Sequence, residues 1–172
     1  MAIKRNGFGQ LELNQVAFRR DGRVESQVPY DTTVEGKKYE NGMVAIIDKA
    51  NGVVKTGAIE EGDLYGIIYT SEELYDARKP GLKNFGVVVE DGAAKGPEGY
   101  DVLPRLGFLS VGDRFTTNTV AEAEYAKGDK VYVAETGEWT KTAAEAGPVG
   151  VVDLVYTMPD GQDAIKIVIT KA

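Results

Sequence analysis

The sequence predicts a mainly β protein, with a small β-barrel or β-tulip-like body built from two quasi-repeated β units, one or two short helices and an extended N-terminal arm. Three observations support this fold class. Two stretches are imperfect copies of one β motif. Six Asn-Gly or Asp-Gly pairs mark hairpin turns. Glycine supplies 21 of the 172 residues, which is above average usage and indicates many tight turns.

The two copies of the motif span about 39–90 and 125–170. Each begins at a tyrosine, Tyr39 or Tyr125, and passes through a glycine turn into an apolar strand. A second glycine then opens another apolar run, and each copy ends in an alternating strand rich in Val and Ile. This fixed order indicates one supersecondary unit used twice. We therefore assign residues 39–172 to a single β-rich body.

Residues 1–38 differ from the body and are predicted to form an arm. They hold seven basic and five acidic residues, so the segment is mildly basic. Stretches 10–18 and 24–30 flank an Asp-Gly turn and predict a long hairpin with thinly apolar faces. Such a segment is either an arm that lies on a partner or a loose edge of the body. We favour the arm, with Arg19, Arg20 and Arg23 as its polar contacts.

Helix signals are few. The segment 71–80 has a capping serine, early acids and late bases, and Pro80-Gly81 ends it. It falls inside the first copy and has no counterpart in the second, as expected for an insertion in one loop of a repeated unit. A second short helix is predicted over 121–126.

Composition excludes several classes of function. The chain contains neither cysteine nor histidine, which removes thiolate chemistry and the commonest general base and transition-metal ligand. We therefore expect neither an enzyme nor a cofactor. The net charge of −7 disfavours a nucleic-acid partner. No stretch is long and apolar enough to predict a membrane span or a signal peptide.

Four motifs suggest specific sites, and in each the structural explanation is favoured. The 92–96 loop lacks the ending of a phosphate loop. The acidic clusters at 60–63 and 72–73 do not have EF-hand spacing. The turn at 127–129 is similar to that of biotinyl and lipoyl carrier domains, but the corresponding hairpin at 134–141 contains no Met-Lys or Asp-Lys pair. Trp139 aligns with an aliphatic position of the first copy, which favours packing on the body or on an adjacent subunit over a ligand site.

The second copy supplies the motifs for a family resemblance. A Lys-Gly-Asp-Lys-Val-Tyr-Val strand at 127–133 is followed by Gly-Pro-Val-Gly-Val-Val at 147–152 and by an alternating strand at 164–169. This succession resembles the C-terminal part of phage head decoration, or capsid cement, proteins, and the likeness extends over about 39–172. The resemblance implies a β-rich body, lambda-type or β-tulip-like, without a cofactor. It also implies a homo-trimer that ties neighbouring capsid subunits together.

The function expected from this resemblance is structural. The protein is expected to be made in the host cytoplasm and to become part of the virion. There it binds the outer surface of an icosahedral phage capsid and stabilises it by bridging subunits of the major capsid protein. Arg19, Arg20, Arg23 and Trp139 are the candidate contacts to that partner. The alternative is a receptor- or glycan-binding fibre or adhesin module, which requires an exposed aromatic patch around Trp139.

Overall fold

The computed structural model describes residue 3 and residues 7–72, 83–97, 99–158 and 161–172. This part of the chain is mainly β, which confirms the predicted class, and the described strands form sheets without closing into a barrel. One short helix, α1, spans Ala17–Asp21. The strands are β1 Leu11–Gln15, β2 Val24–Glu25, β3 Lys38–Glu40, β4 Val44–Asp48, β5 Val53–Lys55, β6 Tyr65–Ile68, β7 Ser71–Glu72, β8 Lys83–Asn84, β9 Gly86–Glu90, β10 Ala93–Lys95, β11 Leu106–Gly107, β12 Arg114–Thr117, β13 Lys130–Val133, β14 Trp139–Thr140, β15 Val149–Thr157 and β16 Asp163–Lys171.

Three of the sheets stack as layers. Sheet I has the order β1-β12-β16-β15-β13-β14, sheet II the order β2-β11-β6-β4-β5, and sheet III the order β10-β9-β3. One buried apolar cluster joins side chains of sheets I and II, and a second joins sheets II and III. Sheet II therefore lies between the other two and is covered on both faces. Strands β7 and β8 form a separate two-stranded sheet.

The sequence repeat is also a structural repeat over three strands. The order β5-β4-β6 in the first copy is the order β14-β13-β15 in the second. The strand-opening glycines occupy the same register, because Gly66 is paired with Ala45 and Gly150 with Val131. The likeness extends to single hydrogen bonds, since Tyr39 and Tyr125 each donate a hydroxyl bond of 2.9 Å to the backbone carbonyl of a preceding residue.

The turn that begins each copy explains its glycine. The Gly42 N–H donates to the Ile68 carbonyl, and the Gly128 N–H donates to the Val152 carbonyl. Both glycines adopt positive φ, 89° and 93°, where a residue with a Cβ atom is strained. The sequence places glycine here because no other residue enters this turn without strain.

The repeat ends at its closing strands, which we predicted to be equivalent. In the second copy β16 pairs with β15 and extends the same sheet. In the first copy β9 pairs with β3 and β10 in sheet III. Strand β11 instead takes the place beside β6. The two copies are therefore alike in their first three strands and differ in what covers them.

The prediction of an extended N-terminal arm is wrong for the described residues. Strand β1 pairs with β12 at the edge of sheet I, and β2 pairs with β11 in sheet II. The two strands therefore do not form the predicted hairpin with each other. Phe18, between them, is fully buried and packs on Tyr69 with ring centroids 5.2 Å apart. Its apolar burial fixes the segment to the body.

The two predicted helices have different outcomes. Residues 71 and 72 of the segment 71–80 belong to strand β7, and the remaining positions lie outside the described residues. The segment 121–126 is not helical. It is held by a bond from the Ala121 N–H to the Trp139 carbonyl and by the Tyr125 hydroxyl bond to the Ala121 carbonyl. The first copy holds Asp31 in the same way, so the repeated packing overrides helix propensity here.

Candidate functional site

The two copies use their corresponding faces differently. We call one face of each copy its core face. In the first copy this is the face that packs on sheet III, and in the second copy it is the face that packs on sheet II. The opposite face of each copy is its reverse face. Equivalent core-face positions are Ala45 and Val131, Ile47 and Val133, Val54 and Trp139, and Ile68 and Val152.

The reverse face of the second copy is open to solvent. In the first copy the reverse-face residues Val44 and Ile67 are buried in the cluster shared with sheet I. The equivalent residues of the second copy are Lys130, which is exposed, and Val151, which is half-buried. Antiparallel sheets often leave one face in water, and that face is then usually polar. The reverse face of the second copy differs from that pattern because it retains apolar residues.

A group of arginines surrounds helix α1, which follows β1. Arg19 and Arg20 lie on the helix, and Arg23 follows it with its guanidinium donating to the Ser110 hydroxyl. All three arginines among the predicted contact residues are exposed. Arg20 has an acidic neighbour, Asp21, at 3.6 Å between Nε and Oδ1. The structure therefore brings the three predicted residues together on the surface of the body.

Sequence reasoning missed two further members of this group. The Arg105 carbonyl accepts a bond of 3.0 Å from the Tyr69 N–H, which places it beside the helix. Burial raises the pKa of Tyr69, and the positive charges of Arg105 and Arg19 both act against that shift. Arg114 follows Asp113, whose carboxylate accepts a bond of 2.7 Å from the first N–H of α1. Every arginine that the structure describes thus belongs to this group, which we call the arginine patch: Arg19, Arg20, Arg23, Arg105 and Arg114.

Trp139 is not a partner contact. Its side chain is fully buried, and its indole N–H donates a bond of 3.1 Å to the Gly42 carbonyl in the first copy. The ring also packs at 5.5 Å from Phe115. The alternative that Trp139 packs on the body is confirmed, and its equivalence to Val54 explains this position. The aromatic patch required for a glycan-binding module is therefore not formed around Trp139.

The acidic cluster at 60–63 and the Lys-Gly-Asp motif form hydrogen-bonded turns, whereas position 73 of the acidic cluster at 72–73 lies outside the described residues. The carboxylates of Asp63, Asp113 and Asp129 each accept a bond of 2.8–2.9 Å from the backbone N–H three residues earlier. A glycine with positive φ precedes each of these aspartates. Lys141 Nζ lies 2.8 Å from the Asp129 carboxylate and lowers its pKa. Within the described ranges no group of His, Cys, Asp and Glu side chains is arranged to hold a metal ion.

Each copy also has a surface hollow beside its hairpin. The hollow of the first copy, about 360 Å³, is lined by Asp48 and Lys55, whose carboxylate and ammonium lie 2.6 Å apart. That contact, with a bond from Asn51, holds the pKa of Asp48 well below its usual range. The hollow of the second copy, about 520 Å³, has Ala134 and Thr140 at the equivalent positions. The charged pair is therefore local to one copy and is not part of the repeated unit.

The glycine-rich 92–96 loop does not form an anion-binding turn. Residues 93–95 are strand β10, and Lys95 Nζ lies 2.5 Å from the Asp101 carboxylate. A lysine paired in this way has its charge already satisfied. The phosphate-loop interpretation therefore has no geometric support.

Comparison with known proteins identifies no relative. No family model matches the chain, and neither the curated proteins nor the solved structures contain a significant match. Among the helices of the described residues, none has the length and apolar character that crossing a membrane requires. The surfaces described above are consequently the basis on which function is inferred.

Proposed function

We propose that the protein is a structural virion component that binds the outer surface of an icosahedral phage capsid and stabilises it by bridging subunits of the major capsid protein. The observation that carries this proposal is the arginine patch. All five of its members are exposed, although the chain as a whole carries a net charge of −7. A cationic patch on an acidic protein selects an acidic partner surface and orients the approach to it.

The patch is suited to contact with a folded protein surface. Arginine forms bidentate bonds with carboxylates and is enriched in protein interfaces. Val111, the residue after Ser110, is 68% exposed, so an exposed apolar residue directly follows the residue that Arg23 contacts. Many identical contacts of this kind across a symmetric shell add avidity to a weak single interaction. The sequence resemblance to capsid cement proteins points to the same partner.

The test is to mix the purified protein with undecorated heads and to image them by electron cryomicroscopy. The heads are assembled from the major capsid protein encoded in the same genome as this chain. We expect extra density at symmetric positions on the outer surface, and heads that withstand higher temperature. Heads without such density, at protein concentrations well above those used for imaging, contradict the proposal.

A charge reversal tests the arginine patch itself. We expect Arg19→Glu/Arg23→Glu to reduce binding to heads by more than about tenfold at low salt, since both changes place acids against an acidic partner. Lys38→Glu/Lys49→Glu, with both lysines exposed outside the patch, is the matched control because it changes net charge equally. Equal binding by the two variants removes the patch from the proposal. Co-sedimentation of the protein with heads at increasing salt concentrations measures how far the binding depends on the charge of the patch.

A further inference from the structure

The open reverse face of the second copy has the composition of an interaction surface. Val151 pairs with Val168 across strands β15 and β16, and Leu154 pairs with Lys166 two positions along. None of the three apolar side chains belongs to either buried cluster. Leu154 is 48% exposed. Three neighbouring apolar side chains on the solvent side of a sheet form a patch that water solvates poorly.

Cations flank this apolar patch on both sides. The pairing register forms a row across four strands, in which Lys130 lies beside Val151 and Arg114 beside Val168. Lys166 lies one step along the sheet, between Leu154 and the buried Thr116. An apolar centre inside a charged rim is the usual anatomy of a protein interface.

The acids on this side of the sheet do not cancel that charge. Asp153 lies 3.8 Å from Lys127, measured from Oδ1 to Nζ. Glu12 is at the far edge, on β1, where it pairs with Thr116. The cations therefore exceed the acids around the apolar centre, and Arg114 continues the same surface into the arginine patch.

The corresponding face of the first copy is covered by another sheet. In the first copy Val44 and Ile67 occupy the positions of Lys130 and Val151 and are covered by sheet I. The same backbone surface is thus already used once for packing against a β layer. In the second copy the described chain supplies no such layer, while the apolar centre is retained and the rim is charged.

We infer that the open face, defined by Val151, Leu154, Val168, Lys130, Lys166 and Arg114, is a docking surface for an acidic protein surface with apolar residues at its centre. Resting on the proposed function, this assigns the face to the capsid contact, continuous with the arginine patch. A second copy related by a twofold axis is a poor occupant. Such a dimer brings the cationic rim of Lys130, Lys166 and Arg114 against the same rim of the second copy, which is repulsive.

The experiment compares two double variants for binding to undecorated heads. Leu154→Asp/Lys166→Glu reverses the character of the open face at two side chains that point to solvent. Val34→Asp/Lys49→Glu is the control, because Val34 is 58% exposed and Lys49 is also exposed. We expect the first variant to bind at least about tenfold more weakly, as for loss of a central interface contact, and the control to bind like the wild type. Circular dichroism and melting temperature verify that both variants fold.

The outcomes separate this inference from the proposed function. If the wild type binds and both variants bind within about twofold of it, the open face is not the contact, and capsid binding stands without it. If the wild type does not bind heads, the proposed function and the capsid assignment of this face both fall. Sedimentation equilibrium tests whether the open face is instead a contact between two copies of this chain. A wild-type oligomer that the open-face variant dissociates, and the control does not, makes the face a contact between copies and overturns the inference.

Discussion

The two copies of the β unit share a backbone and differ in their surroundings. In the first copy both faces are buried, one against sheet I and the other against sheet III. In the second copy only the core face is buried. The residues on the reverse face differ accordingly between the copies, since Val44 and Ile46 of the first copy correspond to Lys130 and Tyr132 of the second. Duplication thus supplies the scaffold, and the asymmetry of its covering leaves one face available for binding.

The largest expected effect comes from the position where the copies exchange a small residue for a large one. Trp139→Ala should lower the free energy of unfolding by about 3–5 kcal/mol, because it opens a cavity between sheets and removes the bond to Gly42. Val54→Ala, at the equivalent position, should cost ~2 kcal/mol, since only two methyl groups are lost. Urea denaturation measures both. Equal costs would show that Trp139 does not join the copies.

A smaller difference is expected at the equivalent turn glycines. Gly128→Ala should cost roughly 1–2 kcal/mol from left-handed backbone strain alone, because its Cβ would enter open space. Gly42→Ala carries the same strain and also meets the side chains of Thr117 and Thr119. Overpacking of this kind adds about 1–3 kcal/mol. Chemical denaturation measures the free energy of unfolding of the two variants. A Gly128→Ala variant less stable than Gly42→Ala would contradict the packing of Gly42 against Thr117 and Thr119.

The sequence predicted well what depends on local pattern. The β class, the turns and the likeness of Tyr39 to Tyr125 follow from residue spacing. The alignment of Trp139 with an aliphatic position correctly predicted its burial, because equivalent positions of a repeat face equivalent environments. Periodicity and turn chemistry are properties of neighbouring residues, so they can be read directly from the chain.

The arm was mispredicted because its polar residues are satisfied within the body. The Gln10 N–H donates a bond of 2.6 Å to the Asn118 side chain, and the Gln10 carbonyl accepts one of 2.7 Å from Thr117. Asn14 accepts from Thr116 at 2.8 Å. Buried polar groups with partners cost little, so a thinly apolar strand packs as well as an apolar one. These partners lie about a hundred positions away and leave no local signal.

The arginine patch was found only in part for a similar reason. Arg19, Arg20 and Arg23 are neighbours in sequence, so their clustering is visible directly. Arg105 and Arg114 join them because β11 lies between β2 and β6, and because Asp113 binds the start of α1. Strand order is a tertiary property that pattern reasoning does not supply. The open face was missed in the same way, since it requires knowing which sheet surface lacks a covering layer.

Removal of the repeated tyrosine hydroxyls should have a modest effect. Tyr39→Phe and Tyr125→Phe each delete one bond of 2.9 Å to a backbone carbonyl. Each is expected to cost about 1 kcal/mol, since a half-buried carbonyl loses its donor while the ring still packs. The two variants should be nearly equal if the hydroxyl bonds are equivalent. A cost more than about twofold larger in one of them, measured by urea denaturation, would break that equivalence.

The last expected effect is confined to alkaline pH, where the stability of these variants should differ from that of the wild type. Burial raises the pKa of Tyr125 to about 12, with Glu138 and Asp129 adding to the shift, and it raises the pKa of Tyr39 as well. Because the folded-state pKa exceeds the unfolded value of about 10, the unfolded chain loses its tyrosine protons first. The stabilisation is therefore complete below pH 10 and is lost as the pH rises through about 12. Melting temperature followed from pH 9 to pH 12 should fall less steeply in Tyr125→Phe than in the wild type, and an unchanged slope would mean that Tyr125 titrates alike in both states.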